Sequence, residues 1–280
     1  MDNFGGKTAF ITGGAGGIGL SMARSLARHG ANIMLADVDE DQLAAARADL
    51  EQMEANVATV ACDVAKAEDV EMAAQRTLDC FGKVHIVINN AGVSLGGRTG
   101  AVSLEDWRWI VDINLMGVVH GVEIFTPLIR CQGEGGHFVN TASMAGHWAA
   151  KNLGPYNATK FAVVGYSETM RQELADDGIG VSVLCPGWVR TNIHKASLKR
   201  PSAADYESTS TDALTYSQAA AAVESGIDPD IVGDWVVDCI RAERFYIFTH
   251  PEMLPAIDAR ADMIKADYAA CAADFRFKYA

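Results

Sequence analysis

The sequence predicts an α/β domain built on one doubly wound, seven-stranded parallel sheet with helices on both faces. Three observations lead there. Short β-branched or apolar runs alternate with longer amphipathic stretches, the rhythm of strands linked by helical crossovers. The short runs are apolar nearly throughout, as strands covered on both faces require. A glycine-rich turn, Thr12-Gly13-Gly14-Ala15-Gly16-Gly17-Ile18-Gly19, stands where the first such run gives way to the first helical pattern.

The elements follow in order. The first strand, 8–11, runs into the glycine turn and a helix over 18–29, and a second strand is predicted at 32–36. Asp37, Asp39, Glu40 and Asp41 open the next helix, 40–54, with Asp39 suited to accept hydrogen bonds from its free first-turn amides. Strands at 57–61, 84–88, 137–140, 180–184 and 245–248 alternate with helices at 67–80, 104–130, 156–176 and 229–241. Two stretches break the rhythm. Residues 194–226, rich in Ser, Thr and Ala, interrupt the chain between the sixth strand and the next helix. An insertion at the carboxyl edge of a parallel sheet is placed to cover a ligand crevice, so this one reads as a lid. The extension 251–280 is helical in composition and ends in Phe275, Phe277 and Tyr279; it is expected to pack on a neighbouring helix or subunit.

With 280 residues, 49% of them hydrophobic and 21% charged, the chain can bury a large core without disulfide or metal staples. Its net charge of −13, from 23 basic and 36 acidic residues, opposes binding to nucleic acid and to anionic membranes. Cys62, Cys80, Cys131, Cys185, Cys239 and Cys271 show no CxxC pair and no zinc spacing, so reduced thiols and no metal are expected. The first residues lack the basic and then apolar regions of a signal peptide, and no apolar run approaches membrane-spanning length; the expectation is a cytoplasmic protein.

Glycines at a β–α junction let the backbone approach a pyrophosphate, whose charge then meets the amides and the positive dipole end of the helix. Gly13, Gly16, Gly17, Ile18 and Gly19 are the candidates for that contact. Eighteen residues beyond Gly19, Asp37 ends the second strand, where a carboxylate accepts from ribose hydroxyls and repels a 2′-phosphate. Neither the glycine turn nor Val38 supplies a base that would reverse this preference, so NAD is favoured over NADP. Asp37 could also help cap the next helix. Asp63 and Val64 after the third strand are placed to hold an adenine, and the small residues of Asn89-Asn90-Ala91-Gly92 after the fourth would admit a ribose.

Tyr156 and Lys160 are four apart on a predicted helix, hence on one face. A phenol ordinarily titrates near 10, and a close ammonium that favours the phenolate by roughly 3–4 kcal/mol lowers this by about 2–3 units. That suits proton exchange with an alcohol or ketone oxygen. Ser143, thirteen residues before Tyr156, offers a hydroxyl to the same oxygen. Asn114, within a helix, is either a packing residue or the holder of a water near Lys160.

Taken together, Thr12 to Gly19, Asn89 to Gly92, Asn114, Ser143, Tyr156 to Lys160 and Pro186-Gly187 resemble, in order and spacing, the short-chain dehydrogenase/reductase family. The resemblance spans about residues 5–250. It implies a Rossmann-type fold over 1–280 as a single NAD-binding catalytic domain. Tyr156 is then the acid/base, and Lys160 lowers its pKa and binds the nicotinamide ribose. Ser143 orients the substrate and Asn114 holds a proton-relay water. Pro186, Gly187, Val189 and Thr191 join the cofactor site by the same likeness, and a homodimer or homotetramer is implied. Trp188 faces the crevice by position, as a substrate wall or as core; His147 and Trp148 either line the pocket or lie on the surface.

The expected reaction is reversible hydride transfer between a secondary alcohol and NAD. The pocket composition favours a bulky hydrophobic or aromatic alcohol, while Arg98, Lys195, Lys199 and Arg200 leave a carboxylate open. The stretch Tyr246-Ile247-Phe248-Thr249-His250-Pro251-Glu252 resembles bacterial dehydrogenases of lignin-derived benzylic alcohols and, more loosely, steroid-type hydroxyl dehydrogenases. A catalytically inert binding module on the same fold is the reading from a different class.

Overall fold

A computed structural model describes residues 1, 3–201, 217–218, 220–274 and 276, so 202–216 of the expected lid and Phe275, Phe277 and Tyr279 lie outside the described residues. The strands are β1 (Thr8–Thr12), β2 (Asn32–Asp37), β3 (Val57–Ala61), β4 (Ile86–Asn89), β5 (Gly136–Thr141), β6 (Ile179–Cys185) and β7 (Tyr246–Phe248). They form one seven-stranded sheet in the order β3-β2-β1-β4-β5-β6-β7, parallel at every pairing. The direction of winding reverses between β1 and β4, which opens a crevice at their carboxyl ends.

The helices are α1 (Gly17–Arg28), α2 (Glu40–Gln52), α3 (Ala67–Phe81), α4 (Leu104–Val111), α5 (Gly117–Gln132), α6 (Gly154–Glu173), α7 (Pro229–Arg241) and α8 (Leu254–Ala273). Alternate strand residues divide between two cores because successive side chains point to opposite faces. Phe10, Met34, Val87, Phe138 and Val183 pack beneath α3, α5 and α6, with Phe10 and Phe125 ring centres 4.5 Å apart. Ile11, Ile33, Leu35, Ile88 and Leu184 pack on the other face with Met22 and Leu26 of α1, Leu43 and Leu50 of α2, and Val236 of α7. Each such side chain contributes roughly 1.5–3 kcal/mol by leaving water. Asp39 caps α2 by accepting from the Gln42 amide, as its sequence position predicts.

The expected continuous helix over 104–130 is corrected: α4 and α5 are joined by a π-helical turn, Asp112–Met116. A single inserted residue in the helical ladder has no periodic signature in sequence, and such turns concentrate at functional sites. The joined stretch Leu104–Gln132 is also long and apolar enough to cross a membrane by length and composition, which corrects the expectation that no such run exists. Its apolar residues Val118, Val122, Phe125 and Ile129 are buried in the core under the sheet, so packing accounts for that composition.

Candidate active site at the carboxyl edge of the sheet

The turn after β1 is shaped by close approach. Gly13 has φ +60°, and a Cβ there would lie 2.9 Å from the Ala91 Cα; one on Gly19 would lie 2.2 Å from the Gly13 carbonyl oxygen. Asn90 fastens this turn to the end of β4 by donating from Nδ2 to the Thr12 and Gly13 carbonyls at 3.1 and 3.2 Å. Thr12 Oγ1 accepts from the Asn90 and Ala91 amides at 2.9 and 3.1 Å. No side chain caps the α1 N-terminus at Gly16 and its first turn carries no acid, whereas Asp39, Ser103 and Asp228 cap α2, α4 and α7. The α1 N-terminus therefore keeps its positive dipole end open to an anion, over which Thr191 lies against Gly17.

Asp37 ends β2 half-buried and accepts from the Ala15 amide and the Asp39 amide, both at 3.2 Å. It thus orients the glycine turn as well as facing the crevice edge, while Val38 beside it is exposed. Asp63 Oδ1 accepts from the Ala65 amide at 3.1 Å, and buried Val64 packs where Gly117 has no side chain. The Val64 carbonyl can only accept, so His120 donates to it from Nδ1 at 2.9 Å. Gly92 keeps open the space between two polar groups: a Cβ there would meet Asn114 Oδ1 at 3.3 Å and Lys160 Nζ at 3.6 Å.

Tyr156 and Lys160 stand one turn apart at the start of α6, with Nζ 5.6 Å from the phenol ring centre. Lys160 is buried, donates to the Thr141 carbonyl at 2.8 Å, and is lowered to about 8 by the loss of water around its ammonium. Burial raises the Tyr156 phenol, and the nearby Ser143 hydroxyl, which favours the phenolate, offsets this only in part. The lowered phenol expected from the sequence is thus reversed in this structure: Lys160 is aimed at the Thr141 carbonyl, and desolvation penalises the phenolate. Ser143 Oγ also donates to the Pro186 carbonyl at 3.3 Å, joining the ends of β5 and β6.

Asn114 is buried in the π turn. Its Oδ1 accepts from the Val93 amide at 2.8 Å, and its Nδ2 donates to the Val93 carbonyl at 2.9 Å and to Thr159 Oγ1 at 3.3 Å. The side chain thereby fixes the loop after β4 against α6. Pro186 is buried, Gly187 donates to His250 Nδ1 at 3.2 Å, and Val189 packs into the second core. Trp188 is exposed rather than core. His147 turns to β7, with Nε2 at 3.2 Å from Cys185 Sγ and its ring 5.6 and 5.2 Å from the rings of Tyr246 and Phe248. Arg200 pairs with buried Asp106 at 3.7 Å, which removes it from the cations left open for a carboxylate.

Two positioning residues escaped sequence reasoning. Asn157 donates from Nδ2 to the Ala145 and Trp148 carbonyls at 2.8 and 3.2 Å, holding the turn that follows Ser143. His250 donates from Nε2 to the Trp188 carbonyl at 3.1 Å while its Nδ1 accepts from Gly187, so it clamps the Pro186–Trp188 turn from the end of β7. Adjacency to Tyr156 is the signal the sequence carries for Asn157; His250 stands within the Tyr246–Glu252 stretch already singled out, but nothing in that stretch points to the turn it clamps.

A seven-stranded parallel sheet with a glycine turn at its switch point, a serine just after β5, and a tyrosine and lysine at the start of α6 defines a nucleotide-dependent oxidoreductase class, and the comparisons agree. The short chain dehydrogenase family model matches residues 7–201, and the chain belongs to that family. It is 34% identical over 277 residues to a CLA biosynthesis dehydrogenase/reductase of Lactiplantibacillus plantarum, covering 95% of this chain and 96% of that one. It is 30% identical over 259 residues to a C alpha-dehydrogenase of a Sphingobium species, covering 92% and 85% of the two chains. A solved short chain dehydrogenase/reductase from Burkholderia phymatum, in complex with NAD, superposes with a TM-score of 0.91 at 40% identity, over 95% of this chain and 97% of that one.

Proposed function

We propose that this chain is an NAD-dependent oxidoreductase that interconverts a secondary alcohol and a ketone, with Tyr156 as the acid/base. The observation that carries the reading is Tyr156 one turn from buried Lys160 on α6, with Ser143 at the end of β5 close enough to favour its phenolate, in a chain whose α1 N-terminus no side chain caps. The glycine turn fits a pyrophosphate, because a Cβ at Gly13 or Gly19 would fill the space the backbone now leaves. Asp37 would take the adenosine ribose, and the Pro186–Trp188 turn with Thr191 would close over the other end. NAD bound there supplies the hydride acceptor and a positively charged ring.

Tyr156 donates its proton to the ketone oxygen in reduction and takes it from the hydroxyl in oxidation. Burial favours the neutral phenol, the donating form, so oxidation draws on cationic charge from Lys160 to hold the phenolate. Ser143 donates to the same substrate oxygen and stabilises charge that grows on it. Asn114 and Asn157 keep the two flanking loops in place. A bulky hydrophobic or aromatic alcohol is supported by exposed Trp148 and Trp188 near the Ser143 and Pro186 turns, and by the C alpha-dehydrogenase likeness.

Tyr156→Phe tests this. The variant should lose ~10²–10⁴-fold in turnover with aromatic secondary alcohols while binding NAD within about twofold of the parent, read by nicotinamide absorbance and by calorimetry. Undiminished turnover removes Tyr156 from the chemistry; absence of any turnover in the parent favours the inert binding module.

A further inference from the structure

Helix α8 is 20 residues long, about 30 Å at 1.5 Å per residue, and buries none of them. Only Ala256, Ile257 and Ala261 in its near half are partly covered, and Arg260 there stacks 5.0 Å from the Phe161 ring of α6. Every residue from Asp262 to Ala273 is exposed, including Met263 at 63%, Ile264 at 47% and Tyr268 at 76%. A helix this apolar, projecting beyond its own domain, needs a covering surface.

Its sequence says which. Leu254, Ile257, Ala261, Ile264, Tyr268 and Cys271 recur at alternating spacings of three and four, the seam of a two-helix coiled coil. Four of the five charges flank that seam: Asp258 and Lys265 on one side, Arg260 and Asp267 on the other. An antiparallel copy, related by a two-fold axis between Asp262 and Met263, sets Ala261 against Ile264 of the partner subunit. The same register sets Ile257 against Tyr268 of the partner subunit and Leu254 against Cys271 of the partner subunit. The flanks then match as well: Asp258 faces Lys265 of the partner subunit, and Arg260 faces Asp267 of the partner subunit. A parallel copy would instead bring Arg260 to Lys265 of the partner subunit, like against like.

We propose that α8 is an assembly element that pairs with α8 of a second copy of this chain, antiparallel about an axis at Asp262 and Met263. Each exposed far half thereby covers the near half of the other helix. The closed two-fold contact covers the Ile264 and Tyr268 seam of both helices at once and needs no third copy.

The register predicts a cross-link. Leu254→Cys faces native Cys271 of the partner subunit, whereas within one chain the two positions are about 25 Å apart along a straight helix, beyond any disulfide. Under oxidised glutathione, the L254C chain should form a covalent dimer on a non-reducing gel, and L254C/C271S should not. Adding Asp258→Lys should slow the cross-link by about fivefold, and adding Lys265→Asp to that should restore it. The inference is overturned by no dimer in L254C, by a dimer that survives C271S, by a Cys271-dependent dimer in the parent chain, which marks parallel pairing, or by indifference to the charge swap.

Discussion

Asn114→Ala isolates what the π turn contributes. The substitution deletes two hydrogen bonds to the Val93 backbone, at 2.8 and 2.9 Å, and a longer one to Thr159 at 3.3 Å. Val93 is only half-buried, so water partly replaces the lost partners and each short bond is worth about 1 kcal/mol, with less for the third. The sum, about 2–3 kcal/mol, lowers the melting temperature by roughly 4–10 °C for a domain of this size. Turnover should fall further than stability explains, because the freed loop carries Ser94, whose hydroxyl ties it to the Ile193 carbonyl at 3.1 Å across the crevice. Asn114→Asp is the informative companion. It can still accept from the Val93 amide but cannot donate, and its carboxylate would face Lys160 across Gly92. Charge at that point favours the ammonium, so the alkaline limb of the kcat/KM profile should move to higher pH. Calorimetry and steady-state kinetics read both effects. An Asn114→Ala variant that melts within about 1 °C of the parent and turns over equally would refute the bracing role.

Two further outcomes follow from named contacts. His137 is buried beside Ser182 and held down to about 3 by the loss of water around its imidazolium, against about 6.5 in an unfolded chain. Stability tied to this neutral ring is complete above pH 6.5 and is lost as pH falls toward 3, because the unfolded state takes up the proton first. The loss is roughly 3 kcal/mol at pH 4, and His137→Gln should flatten that part of the acid limb in urea titrations at pH 7 and pH 4. An unchanged slope would place the acid sensitivity elsewhere. Asp37→Asn keeps the shape of the β2 end but removes its charge, so the ratio of kcat/KM for NADP over NAD should rise at least tenfold, ~1.4 kcal/mol; no change would mean that Asp37 serves only the Ala15 and Asp39 amides.

Much of this molecule was legible before any coordinates. Apart from the break between α4 and α5, strand and helix ends between Thr8 and Phe248 lie within three residues of those predicted, because runs such as Thr-Ala-Phe-Ile at 8–11 carry their periodicity and burial pattern locally. The glycine turn, Asp37, Ser143, Tyr156 and Lys160 stand out as candidates for a related reason: the proposed chemistry would need each residue type at a fixed distance from a strand end or a helix start. The π turn was not, since Asn114 reads as an ordinary helical residue until Val93, 21 positions earlier, is brought beside it. His250 was hidden in the same way, 63 positions from the Gly187 amide it accepts from.

What the sequence by itself determined was therefore the set of elements, their parallel winding and which residues stand as candidates at the strand ends, all consequences of short-range pattern. Only the tertiary structure decided the order of the strands, the carbonyl that Lys160 serves, the turning of His147 away toward β7 and the raised phenol of Tyr156. It also decided that α8 projects uncovered. Those outcomes depend on which distant groups meet and how much water each loses on meeting, quantities that a linear chain does not carry until its register is fixed.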